Sequence, residues 1–350
     1  HRIRIGLFTR ENRSIVRTDQ IEIDIDGPLT PVPELVGRKR PDMILINDDD
    51  LTFAKIRLDP QSSDVAIERF LEIDNSLARV LIWGAAWDMT RDAEMRTRDY
   101  LGLVTRVDLL SMPIAAVQQF GDPDQRTTYR DSLFSSLLTS VRRAGAGSDH
   151  QLALVRNIVA VARTTEHAAL LASWLDGSAT PAGLAMDTDL RWMFIARLVA
   201  LGALPESAID EELVRDNTAG GRRQAAAAHA GVPTAEAKER AWKDVVDGDL
   251  PNAILTATLA GFQQPDQREL LAPYIDRYFD VLPAVWRDRT NEIAQSITTG
   301  FFPVLLPSPE LLARADAFLA ADTDAGSTRL VRELRDNAAR ALKCQAADRP

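Results

Sequence analysis

The pattern of apolar and polar residues changes once along the chain, near Pro60. Before that point apolar and polar residues alternate with period two, which is the pattern of half-buried β-strands. Turn-forming residues at 47–50 separate a short apolar run at 43–46 from an alternating run at 51–58, so these two runs predict a β-hairpin. The predicted strands are 2–8, 21–26, 43–46 and 51–58. Together they predict a small β-sandwich, incomplete at its N-terminal edge.

After Ser62 apolar residues recur with a period near 3.6, which predicts amphipathic helices. We predict roughly fourteen helices of about ten to twenty residues, joined by loops of about two to six. Gly177 is predicted to end one of them in the left-handed conformation. The predicted N-terminal caps are Ser63 or Asp64, Asn75, Ser148 or Asp149, Asp189 and Thr234. The predicted helices include 97–107, 113–120, 265–279 and 282–298.

Short loops place successive helices antiparallel, and a helical pair recurs about every 35 to 45 residues, a period typical of HEAT or armadillo repeats. The predicted fold class is therefore mostly α, with a small β-sandwich followed by an irregular α-solenoid. We place a β-sandwich domain at 1–60 and a helical domain at 61–350. The glycine- and proline-containing stretch 177–188 is a possible joint within the helical domain.

Composition indicates which kinds of partner and which cellular compartment are compatible with this chain. The 350 residues carry a formal charge of −10, which argues against nucleic-acid binding. The pairs Arg142–Arg143 and Arg222–Arg223 are interpreted as solvated helix surface. No apolar run approaches the roughly 20 residues of a membrane span. The single cysteine, Cys344, is typical of a reducing compartment, so we predict a cytoplasmic protein. The chain begins with His1 rather than Met, so we expect it to be part of a longer protein.

The sequence contains none of the common catalytic motifs. It has four histidines but no H-E-x-x-H pair, and it has no phosphate-binding G-x-x-x-x-G-K-[ST] or G-x-S-x-G elbow. The run Asp48–Asp50 resembles part of a calcium loop but lacks the glycine and the closing glutamate. We therefore predict no metal ligands and no cofactor in this chain.

A series of short segments, in order along nearly the whole chain, resembles zinc aminopeptidases of the aminopeptidase N family, particularly their high-GC bacterial branch. Each segment alone is weak evidence for this resemblance, but the whole set in this order is specific to the family. The segments are LINDDDLTFAKIRLD at 45–59, LIWGAAWDM at 81–89, DLRW at 189–192, ELVRDNTA at 212–219, GFQQ at 261–264, ELLAPY at 269–274, YF at 278–279, VW at 285–286, FP at 302–303 and RELRD at 332–336.

The resemblance implies a peptidase whose catalytic half is absent from this sequence. In that family a thermolysin-like domain carries H-E-x-x-H, a further zinc-binding glutamate and a G-x-M-E-N-type loop that holds the substrate amine, and none of these occurs here. The family's C-terminal part is a small β-sandwich followed by a helical bowl that closes over the active site. The implied partners are the protein's own N-terminal catalytic domain and a peptide substrate, with zinc bound in the missing domain.

A bowl that encloses peptides gives arginines a possible role, because a bidentate guanidinium holds a peptide's C-terminal carboxylate well. The candidate substrate-binding residues are Arg191, beside Trp192, and Arg287 and Arg289, after Trp286. The alternative is that these arginines form ion pairs within the helix stack.

Three functional hypotheses remain at this point. The first is the non-catalytic C-terminal part of a zinc aminopeptidase, which encloses the active site and shapes peptide access. The second is a free-standing α-solenoid that binds another protein. The third is an enzyme with an unrecognised site among the helices. An upstream catalytic region in the same reading frame separates the first two, and an activity assay tests the third.

Overall fold

The protein is described from a computed structural model of residues 1–104, 114–321 and 324–350. The model is 63% helical, and a three-stranded antiparallel sheet precedes sixteen α-helices in these ranges. This confirms a mostly α fold in which a small β part comes first. The helices are α1 (Pro60–Arg69), α2 (Ser76–Arg91), α3 (Thr97–Val104), α4 (Arg126–Arg143), α5 (Asp149–Val161), α6 (Thr165–Leu175), α7 (Thr188–Ala200), α8 (Ser207–Arg215), α9 (Ala219–Ala230), α10 (Ala235–Val246), α11 (Asn252–Phe262), α12 (Arg268–Leu271), α13 (Tyr274–Asp288), α14 (Asn291–Phe301), α15 (Pro309–Ala320) and α16 (Ala325–Ala347).

The sheet consists of β1 (Arg2–Glu11), β2 (Ser14–Asp24) and β3 (Met43–Ile46), in the order β2-β1-β3. Both neighbours pair antiparallel to β1, so Ile5 lies opposite Ile21 on one side and Ile46 on the other. Ile3, Ile5 and Leu7 are buried on one face of β1, and Gly6 and Phe8 on the other face are buried as well. The described strands form one sheet, and the second layer of a sandwich stays a prediction.

The predicted strand 51–58 is wrong, and its burial alternates only at its end, over residues 55–58. Asn47, Asp49 and Asp50 have positive φ angles and redirect the chain after β3, which pairs with β1 instead. Ile56 and Leu58 are buried, whereas Lys55 and Arg57 point outward and bind Asp92. An extended segment that packs one face against its surroundings shows the same period as a strand.

Helix starts were predicted well where the cap stands immediately before the apolar periodicity. The side chains of Asn75, Ser148 and Thr234 accept hydrogen bonds from the first turns of α2, α5 and α10, as predicted. Two predicted caps are wrong by a few residues. Asp59 caps α1, because Pro60 fits the first helical position, and Asp187 caps α7.

Two predicted helices are described only in part. The segment 97–107 contains α3, which is described up to Val104, and the segment 113–120 contains a π-helical turn at Ala116–Phe120. Residues 105–107 of the first prediction and residue 113 of the second lie outside the described residues. Gly177 has a φ angle of 89°, so the predicted left-handed end of α6 is confirmed.

The predicted break at 279–282 is wrong, because α13 runs through it from Tyr274 to Asp288 with Pro283 inside. Tyr278, Leu282 and Val285 are buried and lie on one face, so packing continues across the proline. Burial of this stripe outweighs the usual cost of proline within a helix. The region predicted as helix 265–279 instead holds the short α12 and the start of α13.

The chain divides into two compact units. One contains His1–Tyr129 with Lys343–Pro350, and the other contains Arg130–Leu342. In the first unit the buried Asp348 accepts hydrogen bonds from the backbone N–H of Arg98 and Asp122 and from the Tyr129 hydroxyl. The second unit holds the large cluster of buried side chains between α9 and α16. The predicted boundary at residue 60 and joint at 177–188 stay predictions.

Candidate functional site

Within residues 1–104, 114–321 and 324–350, no group of three or more His, Cys, Asp or Glu side chains is placed to hold a metal ion. His229 lies between two carboxylates, with its Nδ1 3.0 Å from Glu206 and its Nε2 3.2 Å from Asp210. Glu206 also pairs with Arg240 at 2.7 Å. In this part of the chain, no helix has both the length and the apolar character that a membrane crossing requires.

The acidic run after β3 is neutralised by arginines from the sheet. Arg17 donates to Asp48 at 2.7 Å and to Asp49 at 2.9 Å, and Arg4 also pairs with Asp49. Asp48 is fully buried. These carboxylates are therefore engaged in fixing the turn against β1 and β2.

Arg191, the first predicted substrate-binding residue, forms an ion pair within the helix stack. Its Nε and Nη2 atoms donate to the two carboxylate oxygens of Glu212 at 2.9 and 2.7 Å, and Glu212 is buried. The neighbouring Trp192 donates to Asp216 at 2.9 Å. This bidentate pair joins α7 to α8 and occupies the guanidinium face that a ligand carboxylate would use.

Arg287 and Arg289 have different surroundings at the end of α13. Arg287 is exposed and pairs with the adjacent Asp288 at 2.8 Å. Arg289 donates to the carbonyl oxygens of Val246 and Gly248 at 2.6 Å, which caps α10. Each candidate arginine thus has its own partners, and their role in substrate binding stays a prediction.

A connected group of polar side chains in the second unit was missed by sequence reasoning, and we call it the capping cluster. Five of its six members bind carbonyl oxygens at the C-terminal ends of helices, and the sixth, Asp266, pairs with two of those five. The members are Arg130, Arg197, Lys238, Gln263, Asp266 and Gln267. Helix ends leave carbonyl oxygens unpaired, and these side chains satisfy them.

Two loop glutamines of the capping cluster each connect two helix ends. Gln267 donates to Ala200 at 3.0 Å and Gly231 at 2.8 Å, which joins the ends of α7 and α9. Gln263 donates to Gly300 and Phe302 at the end of α14, at 2.8 and 2.7 Å. The loop between α11 and α12 therefore holds three other helices in register.

Charged members of the capping cluster act in the same way. Lys238 is completely buried and donates to Ala230 and Phe262, the last residues of α9 and α11, at 2.7 Å each. Burial lowers the pKa of its ammonium to about 7. Because both of its hydrogen bonds go to backbone oxygens, this lysine holds the ends of two helices together, and it has no acidic partner among the described residues.

Asp266 links the remaining two members. It pairs with Arg130 and Arg197, which also donate to the carbonyl of Ala162 at the end of α5. Burial of Asp266 opposes its ionisation, but the two arginines outweigh this effect and keep its pKa below the ordinary range. The sequence Q-Q-P-D-Q looks like a surface loop, and no local signal reveals partners so distant along the chain.

Comparison with known proteins gives two matches. The family model described as ERAP1-like C-terminal domain matches residues 43–340. The chain is also 48% identical over 362 residues to aminopeptidase N of Streptomyces lividans. That alignment covers 99% of this chain and 42% of the Streptomyces protein, so the chain spans less than half the length of this relative.

Proposed function

The chain belongs to the family of ERAP1-like C-terminal domains, and from this premise we propose that it is the non-catalytic C-terminal part of a zinc aminopeptidase. The observation that carries the proposal is the match to aminopeptidase N, which is 48% identical over 99% of this chain but extends far beyond it. The catalytic residues and the zinc would then belong to a separate part of the longer protein.

In this proposal the helical units enclose the active-site cavity of the longer enzyme and restrict which peptides enter. Helices fixed to one another at their ends suit that role, because a wall that shapes a substrate must hold its position. The capping cluster supplies such fixation in the second unit. We further propose that the helices repeat in a HEAT-like way and that the enzyme acts in the cytoplasm.

The partner of the first unit is proposed to be the protein's own catalytic region. Leu29, Val36 and Phe53 are each more than four-fifths exposed, at 82, 83 and 106%. Large apolar side chains gain about 1.5 to 3 kcal/mol each when they are fully covered. Residues 29–53 therefore offer apolar contacts to the part of the enzyme that this sequence does not include.

We expect the purified chain to hydrolyse no aminoacyl-anilide and to bind no stoichiometric zinc, because a catalytic zinc site needs about three protein ligands and an open position. The measurements are release of the anilide and metal content by mass spectrometry. The longer protein serves as the positive control, and a chelator should abolish its activity. Hydrolysis by the chain alone that resists chelators would overturn the proposal.

Among the three candidate arginines, Arg287 offers the most accessible guanidinium for a peptide carboxylate, with 71% of its side chain exposed. In the longer enzyme we expect Arg287→Ala to raise KM for long peptides about fivefold, the upper range for an exposed ion pair. We expect kcat to be unchanged, and KM for a short aminoacyl-anilide as well, because neither depends on a distant peptide C-terminus.

The matched control is Arg329→Ala, since Arg329 is also exposed and pairs within its own helix with Glu333 at 2.9 Å. It should leave every kinetic constant unchanged. Arg191→Ala is less informative, because it leaves the buried Glu212 unpaired and lowers stability. An unchanged KM for long peptides in Arg287→Ala removes this residue from the substrate site.

A further inference from the structure

A cavity of about 420 Å³ lies within the second unit, beside the loops that follow α4 and α6. Its walls are mainly apolar and include Leu138 and Val141 of α4 and Leu170 and Trp174 of α6. Trp174 is buried, whereas Leu138 and Leu170 are half-buried. A volume of a few hundred Å³ with apolar walls and few polar groups is typical of small-molecule sites.

Two loops that contact one another frame this cavity. Gly147 and Gly183 both have positive φ angles, and a Cβ on Gly183 would lie only 2.5 Å from the backbone nitrogen of Gly147. Gln151 joins the same loops, since it accepts from the Gly147 N–H at 2.9 Å and donates to Ala182 at 3.2 Å. The two loops are therefore held in place without a ligand, so a ligand would not have to pay the entropic cost of ordering them.

One lining residue carries a guanidinium that is free to bind a ligand. The side chain of Arg142, in the last turn of α4, is exposed at the cavity and makes no ion pair or hydrogen bond with the described residues. By contrast, Arg163 of the same unit holds Asp131 with two hydrogen bonds of 2.8 and 2.6 Å. An apolar cavity beside an unpaired guanidinium is complementary to a molecule with an apolar body and one carboxylate.

We propose that this cavity binds a small apolar monocarboxylate, with its hydrocarbon part between Leu138, Leu170 and Trp174 and its carboxylate on Arg142. The inference does not depend on the proposed aminopeptidase role, because it is argued only from the cavity, its lining residues and the two loops that frame it. It also gives Arg142 a different role from that of its neighbour Arg143, which does not line the cavity.

Isothermal titration calorimetry of the purified chain tests the proposal with two probes of equal chain length, octanoate and octanol. We expect octanoate to bind more tightly than octanol. Arg142→Met should weaken octanoate binding about fivefold, the loss expected for one ion pair at a solvent-accessible rim, and leave octanol binding unchanged. The control Arg143→Met keeps the same net charge as Arg142→Met and should alter neither affinity.

Two further variants locate the apolar part of the site. Leu138→Trp and Leu170→Phe narrow the cavity from different helices, and each should weaken binding of both probes while thermal unfolding stays cooperative. Any of the following results would overturn the proposal: no octanoate binding by the unaltered chain, equal losses in Arg142→Met and Arg143→Met, or unchanged binding in both narrowed variants. Equal affinity for octanoate and octanol would also contradict it, by showing that only the apolar walls bind.

Discussion

Asp266→Asn is expected to lower the free energy of unfolding by about 3 kcal/mol or more, because it removes the carboxylate between two buried guanidiniums. Arg130 and Arg197 are each only 8% exposed at their side chains. Asparagine has nearly the same shape as aspartate, so the lost stability is due to the missing charge and not to packing. The free energy of unfolding is measured by urea unfolding followed by tryptophan fluorescence.

The size of this effect follows from the surroundings of the two arginines. Both also donate to the carbonyl of Ala162, at 3.2 Å from Arg130 and 3.0 Å from Arg197. Without Asp266 they cannot turn toward water without breaking these contacts at the end of α5. The protein must then either keep two uncompensated charges buried or release the helix end, and both outcomes cost stability.

The same carboxylate predicts how stability depends on pH. The pKa of Asp266 is lowered from 3.8 because the arginines outweigh the opposing effect of burial. The unfolded chain therefore takes up this proton first as pH falls, so the contribution of Asp266 is complete above about pH 4 and is lost below it. The stability difference between the unaltered chain and Asp266→Asn should shrink in that acidic range.

Asp316→Asn is the matched control for Asp266→Asn. Asp316 pairs with Arg335 through two hydrogen bonds of 2.9 and 3.1 Å, but its side chain is 54% exposed. We expect Asp316→Asn to lower the free energy of unfolding by less than about 1 kcal/mol, because water can solvate both Asp316 and Arg335. Equal effects of the two substitutions would show that burial does not decide the energy of the Asp266 cluster.

The fold could be predicted from sequence where the information is local. The 3.6-residue period located the helices after Ser62, and caps such as Asn75 and Thr234 identified their starts. The run 51–58 misled because only Ile56 and Leu58 within it are buried and its backbone is not part of a strand. The predicted break at 279–282 was likewise wrong, since the buried stripe that carries the helix past Pro283 depends on packing against the other helices.

The candidate site was less predictable than the fold. A resemblance in short segments led to the family, but it gave no indication of which arginines are already paired. Glu212, which holds Arg191, lies in another helix, and Asp266 lies 136 residues from Arg130. Hydrogen bonds between residues so distant in sequence leave no periodic signal, so the capping cluster becomes visible only once the helices are placed.

Gly261→Ala is expected to destabilise the protein by about 3 kcal/mol, although alanine is the better helix former by about 1 kcal/mol. A Cβ at this position of α11 would lie 1.9 Å from the carbonyl oxygen of Ala227 in α9. The contacting atoms are backbone, so no side-chain rotation relieves the overlap and the two helices must separate. Their separation also strains the hydrogen bonds from Lys238 to Ala230 and Phe262.

Gly84→Ala, the same substitution in an open part of a helix, provides the control for Gly261→Ala. Gly84 lies in α2, and a Cβ there would meet nothing within 4 Å. We expect Gly84→Ala to raise the free energy of unfolding by about 1 kcal/mol, because alanine has the higher helix propensity and no contact is changed. If urea unfolding shows a lower free energy of unfolding for Gly261→Ala and a higher one for Gly84→Ala, the loss at Gly261 is due to the close approach of α9 and α11. A gain in both variants would mean that these helices can move apart at little cost, which would contradict the rigidity attributed to the capping cluster.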